Sequence, residues 1–540
     1  MKDRLVDRVA QLARERPEEP AIIALRGVST WRTLWYDSGR IAALLRELGV
    51  RPGDRVAYQL PNRAEFVAIT LAALRIGAVC CPLMPIFRER EMVYALERSR
   101  ARVLFLLDAF RGRRPVEEVA ALAPRLAHIE HAIVLDGDAR SDSVPAQRPG
   151  ARLAWSRFDE RLAAIAPEAS DSWTVDSAFP PPTALAQLLF TSGTSGTPKG
   201  VLHRQDTLMS AAQLQAERLG LTARDRIFVP SPLAHQTGFL YGMWVALMLG
   251  AVQILQEIWD PVRALAGMRE WGATFVQAAT PFLLDIVQTV EEGAEPPGAL
   301  RIFVPTGAAV PRALARRAAQ TLHTAVCGAF GTTEGCLATL ASPADPPEQA
   351  WGSDGRALPS VRIRVRDEAG RVLPAGEEGH FEIESPTMFE GYLDDPQATA
   401  EAYTADGWYR TGDLAVIDAA GFLRVTGRVK DVINRGGEKV PVAEIEQLLY
   451  QHEAVREAAI VAMPDPRLGE RACAFVALRA GHALDLRSMR IFLDEHRVAK
   501  QYWPERLELL DELPKTASGK IQKYILREHA TRLAAAREPA

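Results

Sequence analysis

The stretch TSGTSGTPKG, from Thr191 to Gly200, decides how the fold of this chain is interpreted, because its small, hydroxylic and glycyl residues are hard to explain by packing. Its glycines permit backbone conformations closed to other residues and let N–H groups approach a ligand closely. Its hydroxyl groups are hydrogen-bond donors, and its lysine is a point charge. The pattern predicts a phosphate-binding loop, and the alternative is a polar surface turn. The predicted phosphate-binding residues are Thr191, Ser192, Gly193, Thr194, Ser195, Gly196, Thr197 and Lys199.

The sequence around this loop indicates an α/β protein and distinguishes the loop from a Walker loop. A Walker loop needs glycine before its lysine and a hydroxyl residue after it, whereas Pro198 precedes Lys199 and Gly200 follows it. The preceding segment ALAQLLF, Ala184 to Phe190, predicts a buried strand. Short apolar runs alternate with helical patterns on both sides of the loop, which predicts a largely parallel sheet covered by helices.

The pattern changes twice towards the C-terminus. From about residue 357, short β-like runs such as VRIRVRD and GHFEIES are separated by Gly and Pro turns, and from Arg428 helical patterns alternate with strands again. We therefore predict an α/β fold whose large N-terminal domain, residues 1–427, has layered parallel sheets with helices and a β-rich subdomain at about 357–427. A small mobile α+β domain would cover residues 428–540.

The composition bounds the partners and the location of the protein. Of its 540 residues 48% are hydrophobic and 24% charged, which are ordinary values for a soluble globular protein. A net charge of −4 offers no broad cationic field, so small molecules rather than nucleic acid or anionic lipid are expected as partners. Five cysteines without a CxxC pair, and no secretory signal, predict reduced thiols in a cytoplasmic protein.

One apolar run, Gly238 to Leu255, is long enough to raise the question of a membrane span. Gly250 is placed like a residue that ends a helix, and polar residues follow it. We therefore predict a buried helix that turns into a strand, and no membrane span.

The order of motifs resembles that of the adenylate-forming (ANL) superfamily, in its acyl-CoA synthetase branch, over nearly the full length. Each motif alone is a weak signal, but the phosphate loop and six further motifs in the family's order are specific. The six are PLAHQTGF (Pro232 to Phe239), TGAAV (Thr306 to Val310), FGTTE (Phe330 to Glu334), YRTGD (Tyr409 to Asp413), GRVKDVINRGGEKVPVAEIE (Gly427 to Glu446) and PKTASGK (Pro514 to Lys520). The resemblance implies an enzyme that uses ATP to adenylate a carboxylic acid and then transfers the acyl group to coenzyme A.

The resemblance also implies how the triphosphate is held. Activating a carboxylate with ATP brings an anion against a polyanion, so the site needs cations and a metal. Glu334 corresponds to the family's ligand for Mg²⁺, and Thr333 would touch the α-phosphate. Lys199 would be an auxiliary cation on the two phosphates that leave as pyrophosphate. The alternative for Glu334 is a solvated loop glutamate.

The nucleoside would be bound by residues further along the chain. Phe330 stands where the family usually has a tyrosine stacked on adenine, and a phenyl ring keeps the stacking face but lacks the hydroxyl. Asp413 resembles the ribose-binding aspartate, since one carboxylate can accept from two vicinal hydroxyls, and Arg428 would assist it. The other predicted nucleotide-binding residues are Gly307, Ala308, Gly331, Thr332 and Thr333.

Two further roles fall to the C-terminal domain in the family. Lys520 matches the lysine that bridges the acyl carboxylate and the α-phosphate, and Lys430 matches the hinge about which the small domain swings. The second arrangement would present Asn434 to Glu438, where Gly436 and Gly437 let the backbone pass close to the pantetheine arm of coenzyme A.

His235 occupies the family position of an aromatic residue or histidine that gates the acid site. A metal-ligand or general-base role is disfavoured, because no partner stands at metal-ligand spacing and a carboxylate is already ionised at neutral pH. We assign His235 to orienting the carboxylate and lining the path of the thiol. The predicted acid-pocket residues are Phe239, Ala278, Ala279, Thr280, Gly307, Gly331 and Cys336.

The segments expected to wall the acid pocket contain no charged residue. An α-amino acid would leave an unpaired buried ammonium, so a compact apolar acid is expected, either aryl, alicyclic or medium-chain. One departure concerns coenzyme A, because Tyr502 replaces a lysine that relatives carry two residues before proline, although Lys500 is close by.

The leading hypothesis is an ATP-dependent, AMP-forming acid:CoA ligase. The alternatives are an adenylation enzyme that loads an acyl carrier protein, a non-catalytic acyl- or nucleotide-binding homologue, and a luciferase-like oxygenase, for which no residue speaks specifically. Neither the identity of the acid nor the oligomeric state follows from the sequence.

Overall fold

The structure is a computed structural model that describes residues 4–137, 144–145, 152–165, 180–191, 198–307, 310–516 and 520–535. Its α-helices are α1 (Leu5–Glu15), α2 (Trp31–Glu47), α3 (Ala64–Arg75), α4 (Glu89–Ser99), α5 (Pro115–Leu122), α6 (Phe158–Ala163), α7 (Gln205–Leu219), α8 (Val245–Leu249), α9 (Pro261–Glu270), α10 (Thr280–Glu291), α11 (Arg312–Thr321), α12 (Pro347–Gly352), α13 (Pro396–Glu401), α14 (Val442–Leu449), α15 (Leu486–Glu495) and α16 (Lys523–Ala535). Three 3₁₀ turns are Ala123–Arg125, Val429–Asp431 and Lys500–Tyr502.

The β-strands are β1 (Pro20–Ala24), β2 (Gly27–Thr30), β3 (Arg55–Gln59), β4 (Val79–Pro82), β5 (Val103–Leu107), β6 (His131–Leu135), β7 (Ala154–Arg157), β8 (Leu185–Thr191), β9 (Lys199–Arg204), β10 (Arg226–Val229), β11 (Val252–Leu255), β12 (Phe275–Ala279), β13 (Ile302–Thr306), β14 (Ala325–Val326), β15 (Ala329–Thr332), β16 (Cys336–Leu340), β17 (Arg356–Ala357), β18 (Arg362–Arg366), β19 (Glu378–Glu384), β20 (Gly391–Tyr392), β21 (Tyr409–Ile417), β22 (Leu423–Arg428), β23 (Ile433–Arg435), β24 (Glu438–Val440), β25 (Val455–Asp465), β26 (Gly469–Leu478) and β27 (Arg506–Leu509).

Two mainly parallel sheets form the centre of the large domain. The first has the strand order β14-β13-β12-β10-β11-β1-β2, and the second has the order β20-β9-β8-β4-β3-β5-β6-β7. A shared core with Trp31, Phe66, Phe239 and Trp244 fills the space between the sheets, where α2, α3 and α7 lie. Because α3 lies between two sheets, the sequence AEFVAITLAALR is apolar nearly all round and almost wholly buried.

The outer faces of the two sheets are also covered by helices. Helices α4 and α5 pack on the second sheet, and α9, α10 and α11 pack on the first. The resulting order of layers is α/β/α/β/α, and the predicted α/β class is confirmed.

Smaller antiparallel sheets complete the chain. Strands β15, β16 and β17 form a three-stranded sheet within the described residues, and β18, β19, β21 and β22 form a four-stranded one. The C-terminal sheet has the order β24-β23-β26-β25, with β27 beside β26, and it packs on α14, α15 and α16. The four-stranded sheet ends at Arg428 and the C-terminal sheet begins at Ile433, so Lys430 lies in the 3₁₀ turn between them.

The apolar run after residue 237 folds as a helix that turns into a strand, as the sequence predicted. A π-helix, Thr237–Trp244, continues directly into α8, Gly250 follows in the left-handed conformation, and β11 comes next. Over the part of the chain that the structure describes, no helix is long and apolar enough to cross a membrane. A π-helix is rare and is found mostly at functional sites. Here it begins two residues after His235.

Candidate active site

The predicted site lies at one edge of the first sheet. Strands β10, β12 and β13 are parallel, and they end at Val229, Ala279 and Thr306. The segments with His235, Thr280 and Gly307 follow these ends, so they emerge on the same side. Ligands of open α/β sheets bind at the carboxyl ends of strands, because the loops converge there.

The phosphate loop connects two antiparallel strands. Thr191 ends β8 and pairs with Lys199, which begins β9, and the Thr191 hydroxyl donates to Lys199 O at 3.4 Å. Tyr94 Oη donates to the carbonyl of Pro198 at 2.6 Å. The predicted residues Ser192, Gly193, Thr194, Ser195, Gly196 and Thr197 lie outside the described residues.

Lys199 and Glu334 are brought together by a residue that the sequence analysis missed. Lys199 Nζ lies 4.4 Å from the centre of the Tyr392 ring, and Tyr392 Oη donates to Glu334 Oε1 at 2.9 Å. Tyr392 pairs with Val201 of β9 through β20, which holds its ring beside the strand that begins with Lys199. A lone tyrosine in GYLDDP is indistinguishable from a core aromatic residue in the sequence, so only the fold identifies it.

The turn between β15 and β16 carries the predicted α-phosphate contacts. Gly335 N donates to Thr332 Oγ1 at 2.9 Å, and His203 Nε2 lies 2.6 Å from Thr333 O. Burial lowers the pKa of His203 to about 4, so its ring is neutral at pH 7 and donates this hydrogen bond from Nε2. His203 therefore fixes the Thr333 backbone, a role that nothing in the sequence indicated.

Phe330 and Gly331 lie on β15, and Gly307 follows the end of β13, so these predicted base-binding residues belong to two different strands. The half-buried Phe330 ring meets Phe381 edge to face, with 5.1 Å between ring centroids. A Cβ on Gly331 would lie 2.5 Å from Cys336 O, so the close pairing of β15 and β16 requires glycine there. A Cβ on Gly307 would lie 3.9 Å from that of Ala279. The predicted Ala308 is outside the described residues.

A half-buried acid, Asp354, adjoins this base site and was not predicted. Asp354 Oδ2 accepts from Val425 N at 2.7 Å. Asp354 shares a small cavity with Gly328 and Val310, the neighbours of the predicted base-binding segments. Burial raises the pKa of Asp354 to about 6.

Asp413 and Arg428 form the pair that the sequence analysis expected. They face each other in the β21–β22 pairing, and Arg428 Nε donates to Asp413 Oδ1 at 3.0 Å. Asp413 is 4% exposed, and its buried Oδ2 has no hydrogen-bond partner among the described atoms. Burial raises the pKa of Asp413, against the charges of Arg428 and Lys520. An unpaired acceptor at this position is suited to a ribose hydroxyl.

Lys520 reaches this site from the C-terminal domain. Lys520 N donates to Thr516 Oγ1 at 3.1 Å, and Thr516 N donates to Lys520 O at 2.7 Å, which closes the loop that presents the side chain. Burial, and then the charge of Arg428, lower the pKa of Lys520 to about 8. Its charge also lowers the pKa of Asp413 and of His235.

His235 is neutral at physiological pH. Burial, with a contribution from the charge of Lys520, lowers the pKa of His235 to about 4. Its Nδ1 accepts from Thr237 N at 3.3 Å, which leaves the proton on Nε2. The ring can therefore donate one hydrogen bond from Nε2 to an acid oxygen.

The predicted acid-pocket residues do not all lie on the same side of the first sheet. Phe239 and Cys336 are fully buried and belong to the core between the sheets. Ala278 packs instead on the outer face with Val276, in the cluster that contains α10 and α11. Ala278 therefore points away from Phe239 and Cys336, because alternate strand residues point to opposite faces, and its place in the acid pocket stays a prediction.

Ala279 and the buried Gln277 share the face of β12 that is opposite to Ala278. Gln277 accepts a hydrogen bond from Gln215 of α7, and its Nε2 has no partner among the described atoms. Thr280 Oγ1 is likewise buried without a hydrogen-bond partner there. The amide of Gln277 was missed because the sequence analysis counted only charges in this region, whereas Thr280 was among the predicted pocket residues.

Gly436 and Gly437 are not brought to the site in this arrangement. They form the turn between β23 and β24, with positive φ angles of 60° and 97°. Gly436 N donates to Leu468 O at 2.8 Å, within the C-terminal domain. The exposed Lys430 accepts at its carbonyl from Arg527 Nη2 at 3.3 Å, and Arg527 also contacts Asp431 at 2.7 Å.

Comparison with known proteins places these residues in a wider group. The sequence pattern described as AMP-binding enzyme matches residues 9–393, and that described as AMP-binding enzyme C-terminal domain matches residues 444–520. The medium-chain fatty-acid–CoA ligase of Escherichia coli (strain K12) is 36% identical over 530 residues, which cover 98% of this chain and 90% of that protein.

Two other relatives extend the comparison. The 3-[(3aS,4S,7aS)-7a-methyl-1,5-dioxo-octahydro-1H-inden-4-yl]propanoyl:CoA ligase of Mycobacterium tuberculosis is 34% identical and covers 96% of this chain and 97% of its own length. The crystal structure of the anthranilate CoA ligase AuaEII in complex with anthranoyl-AMP superposes with a TM-score of 0.87 at 25% identity, covering 99% of this chain and 98% of that one.

Proposed function

The chain belongs to the AMP-binding enzyme family, and we propose that it activates a compact apolar carboxylic acid with ATP and passes the acyl group to coenzyme A. It is an acid:CoA ligase that works through an acyl-adenylate. The observation that carries the proposal is the Asp413–Arg428 pair, in which the buried Oδ2 of Asp413 has no hydrogen-bond partner among the described atoms, while the charge of Lys520 from the C-terminal domain acts on the same carboxylate.

In the first step the acid carboxylate attacks the α-phosphorus and pyrophosphate leaves. Lys520 stabilises the negative charge that develops on the α-phosphate and draws in the acid carboxylate. Lys199 faces the leaving phosphates, and Thr333 contacts the α-phosphate from a backbone that His203 holds. His235 donates a hydrogen bond to the acid and orients it.

The residues present fit a bound Mg²⁺. Within the described chain no group of three or more His, Cys, Asp or Glu side chains could hold a metal by itself. Mg²⁺ binds typically through one or two carboxylates together with substrate phosphates, so Glu334 alone suffices on the protein side. The ion would neutralise charge on the phosphates when bound.

The nucleoside is proposed to lie between Phe330 and Gly307. Asp413, supported by Arg428, accepts from the ribose hydroxyls through its unpaired Oδ2. The predicted contribution of Ala308 and of the loop from Ser192 to Thr197 remains a prediction.

Transfer to coenzyme A needs a second arrangement of the C-terminal domain. We propose residues 428–540 as the mobile unit and Lys430 as the hinge, since Lys430 lies in the exposed turn between two separate sheets. In that arrangement Lys520 leaves the site, and the turn with Gly436 and Gly437 passes along the pantetheine arm.

The acid is proposed to be medium-chain, alicyclic or aromatic. Phe239, Ala279 and Cys336 are uncharged, and the carboxylate of Glu334, whose charge acts on Cys336, is assigned to Mg²⁺, so a charged acid body would be desolvated without a partner. The relatives are named for acids of all three kinds. The five cysteines are buried and unpaired, which accords with a cytoplasmic location.

A screen of aryl, alicyclic and C4 to C12 acids tests the proposal by pyrophosphate release, with coenzyme A present and the thioester measured directly. We expect acid-dependent release and a thioester from free coenzyme A. A thioester formed only on a phosphopantetheinylated carrier protein would show that the acyl acceptor is that protein and not free coenzyme A. No acid-dependent pyrophosphate exchange with any acid would refute the ligase.

A further inference from the structure

Tyr392 lies between the two oppositely charged groups that the proposed mechanism requires, Lys199 and Glu334. It is only 9% exposed, and neighbouring hydrogen bonds hold it: Tyr392 N donates to Thr399 Oγ1 at 2.9 Å, and Leu393 N donates to Gly200 O at 2.7 Å. Its ring therefore has a fixed position relative to the start of β9.

The ring and the hydroxyl of Tyr392 serve different partners. The ring lies 4.4 Å from Lys199 Nζ, within the range at which an ammonium is attracted to the face of an aromatic ring. The hydroxyl donates to Glu334 Oε1 at 2.9 Å. Both partners are half-buried, so water weakens these interactions less than it would at the surface.

A neutral spacer matters here because a lysine and a glutamate this close would otherwise pair directly. In the described structure Lys199 and Glu334 form no ion pair within 4.0 Å, while Tyr392 contacts both. A direct pair would consume the ammonium needed by the phosphates and the carboxylate needed by Mg²⁺. A phenol holds the carboxylate without neutralising it, and an aromatic face holds the ammonium without removing its donors.

We propose that Tyr392 is a positioning residue that keeps the Lys199 ammonium and the Glu334 carboxylate apart and aimed at the triphosphate and its Mg²⁺. This inference rests on the proposed function for the identity of the ligand. In this role the hydroxyl of Tyr392 positions Glu334, the proposed Mg²⁺ ligand, and its ring positions Lys199, the proposed phosphate-binding cation.

Two substitutions separate the two contacts. Tyr392→Phe removes the hydroxyl and keeps the ring, so we expect the Mg²⁺ concentration for half-saturation to rise about tenfold, as for loss of one hydrogen bond to a charged group. Tyr392→Leu removes the ring as well, so affinity for the nucleotide should also fall, by about threefold.

Tyr403→Phe is the matched control. Tyr403 belongs to the same aromatic cluster, 5.8 Å from Tyr409 and 6.1 Å from Phe389 between ring centroids, and it contacts neither Lys199 nor Glu334 by a hydrogen bond or ring contact in the described structure. Its loss of a hydroxyl should leave the Mg²⁺ dependence unchanged.

The measurement is calorimetric titration of ATP at a series of Mg²⁺ concentrations, together with acid-dependent pyrophosphate exchange and the melting temperature. A rise in the Mg²⁺ concentration for half-saturation in Tyr392→Phe, but not in Tyr403→Phe, supports the inference. An unchanged Mg²⁺ dependence, or a loss in Tyr392→Phe no different from that in Tyr403→Phe, overturns it. If the wild type binds MgATP but exchanges no pyrophosphate with any acid, the proposed function fails while the titration still decides the role of Tyr392.

Discussion

Lys199 and Lys520 are both proposed to face the triphosphate, yet the protein holds them in opposite ways. Lys199 begins a strand of the eight-stranded sheet, and the Tyr392 ring supports its ammonium. Lys520 stands on a loop of another domain, closed by two hydrogen bonds with Thr516. Under the proposed domain movement, Lys520 is half-buried only while the two domains are docked.

Under the proposed mechanism, this difference separates a cation that stays at the site from a catalytic one that leaves with its domain. A lysine within a sheet cannot leave without breaking backbone hydrogen bonds, so it suits a group that must hold pyrophosphate throughout. A lysine on a small domain can be withdrawn as a unit, which empties the site for the thiol. The depressed pKa of Lys520 is a consequence of its docking, because burial is its main cause.

We expect the largest change in activity from removing the side chain of Lys520. Lys520→Ala should lower the rate of adenylation by about 10²- to 10³-fold, the size found for loss of one preorganised charge-stabilising group. Thioester formation from supplied acyl-adenylate should stay near the wild-type rate. Lys199→Ala, the matched change on the fixed side, should act chiefly on the KM for ATP. Equal loss of both half-reactions in Lys520→Ala would contradict a removable lysine.

At the proposed hinge we expect the other half-reaction, transfer to coenzyme A, to be affected. Proline at position 430 suits the φ of the 3₁₀ turn Val429–Asp431 but restricts rotation about it. Lys430→Pro should therefore keep adenylation, measured by pyrophosphate exchange, and lose transfer to coenzyme A. Lys430→Ala should retain both. A Lys430→Pro enzyme with normal thioester synthesis would show that rotation occurs elsewhere.

The pH dependence of the ligase tests the protonation state of Lys520 without removing its side chain. The pKa of Lys520 is about 8 in the docked protein, so its ammonium is present below pH 8 and is lost as the pH rises through that value. We expect kcat/KM for ATP to fall above about pH 8, approaching tenfold per pH unit. Lys520→Arg stays protonated in this range, so its residual activity should not show the same decline.

The smallest expected effect is on stability and concerns Asp354, a half-buried carboxylate of the large domain. Burial raises the pKa of Asp354 to about 6 from an unfolded value of 3.8, so the folded state binds the proton more tightly between these values. The contribution of Asp354 to stability therefore falls as pH rises from 4 to 7. Asp354→Asn should reduce the loss of melting temperature between pH 5 and 7 by about 1–2 °C. An unchanged difference would indicate that Asp354 is not buried as a charge.

Local sequence patterns predicted many elements well. The run before Thr191 forms β8, the helix after Thr237 ends at Gly250, and α14, α15 and α16 follow the helical patterns beyond Lys430. These elements are decided by hydrophobic period and by residues that end helices, which act over a few positions. The face of β12 on which Ala278 lies was not predicted, because the pocket was assigned by segment, without assigning alternate residues to opposite faces of the strand.

The α/β class and the family follow from the sequence alone, because they depend on local pattern and on the order of motifs along the chain, and the same motifs predict the reactive groups. Only the tertiary structure decided that Tyr392 joins Lys199 to Glu334, that His203 holds Thr333, and that Lys520 loses its ordinary pKa beside Asp413. Those properties arise from contacts between segments far apart in the chain, and burial and charge act through space.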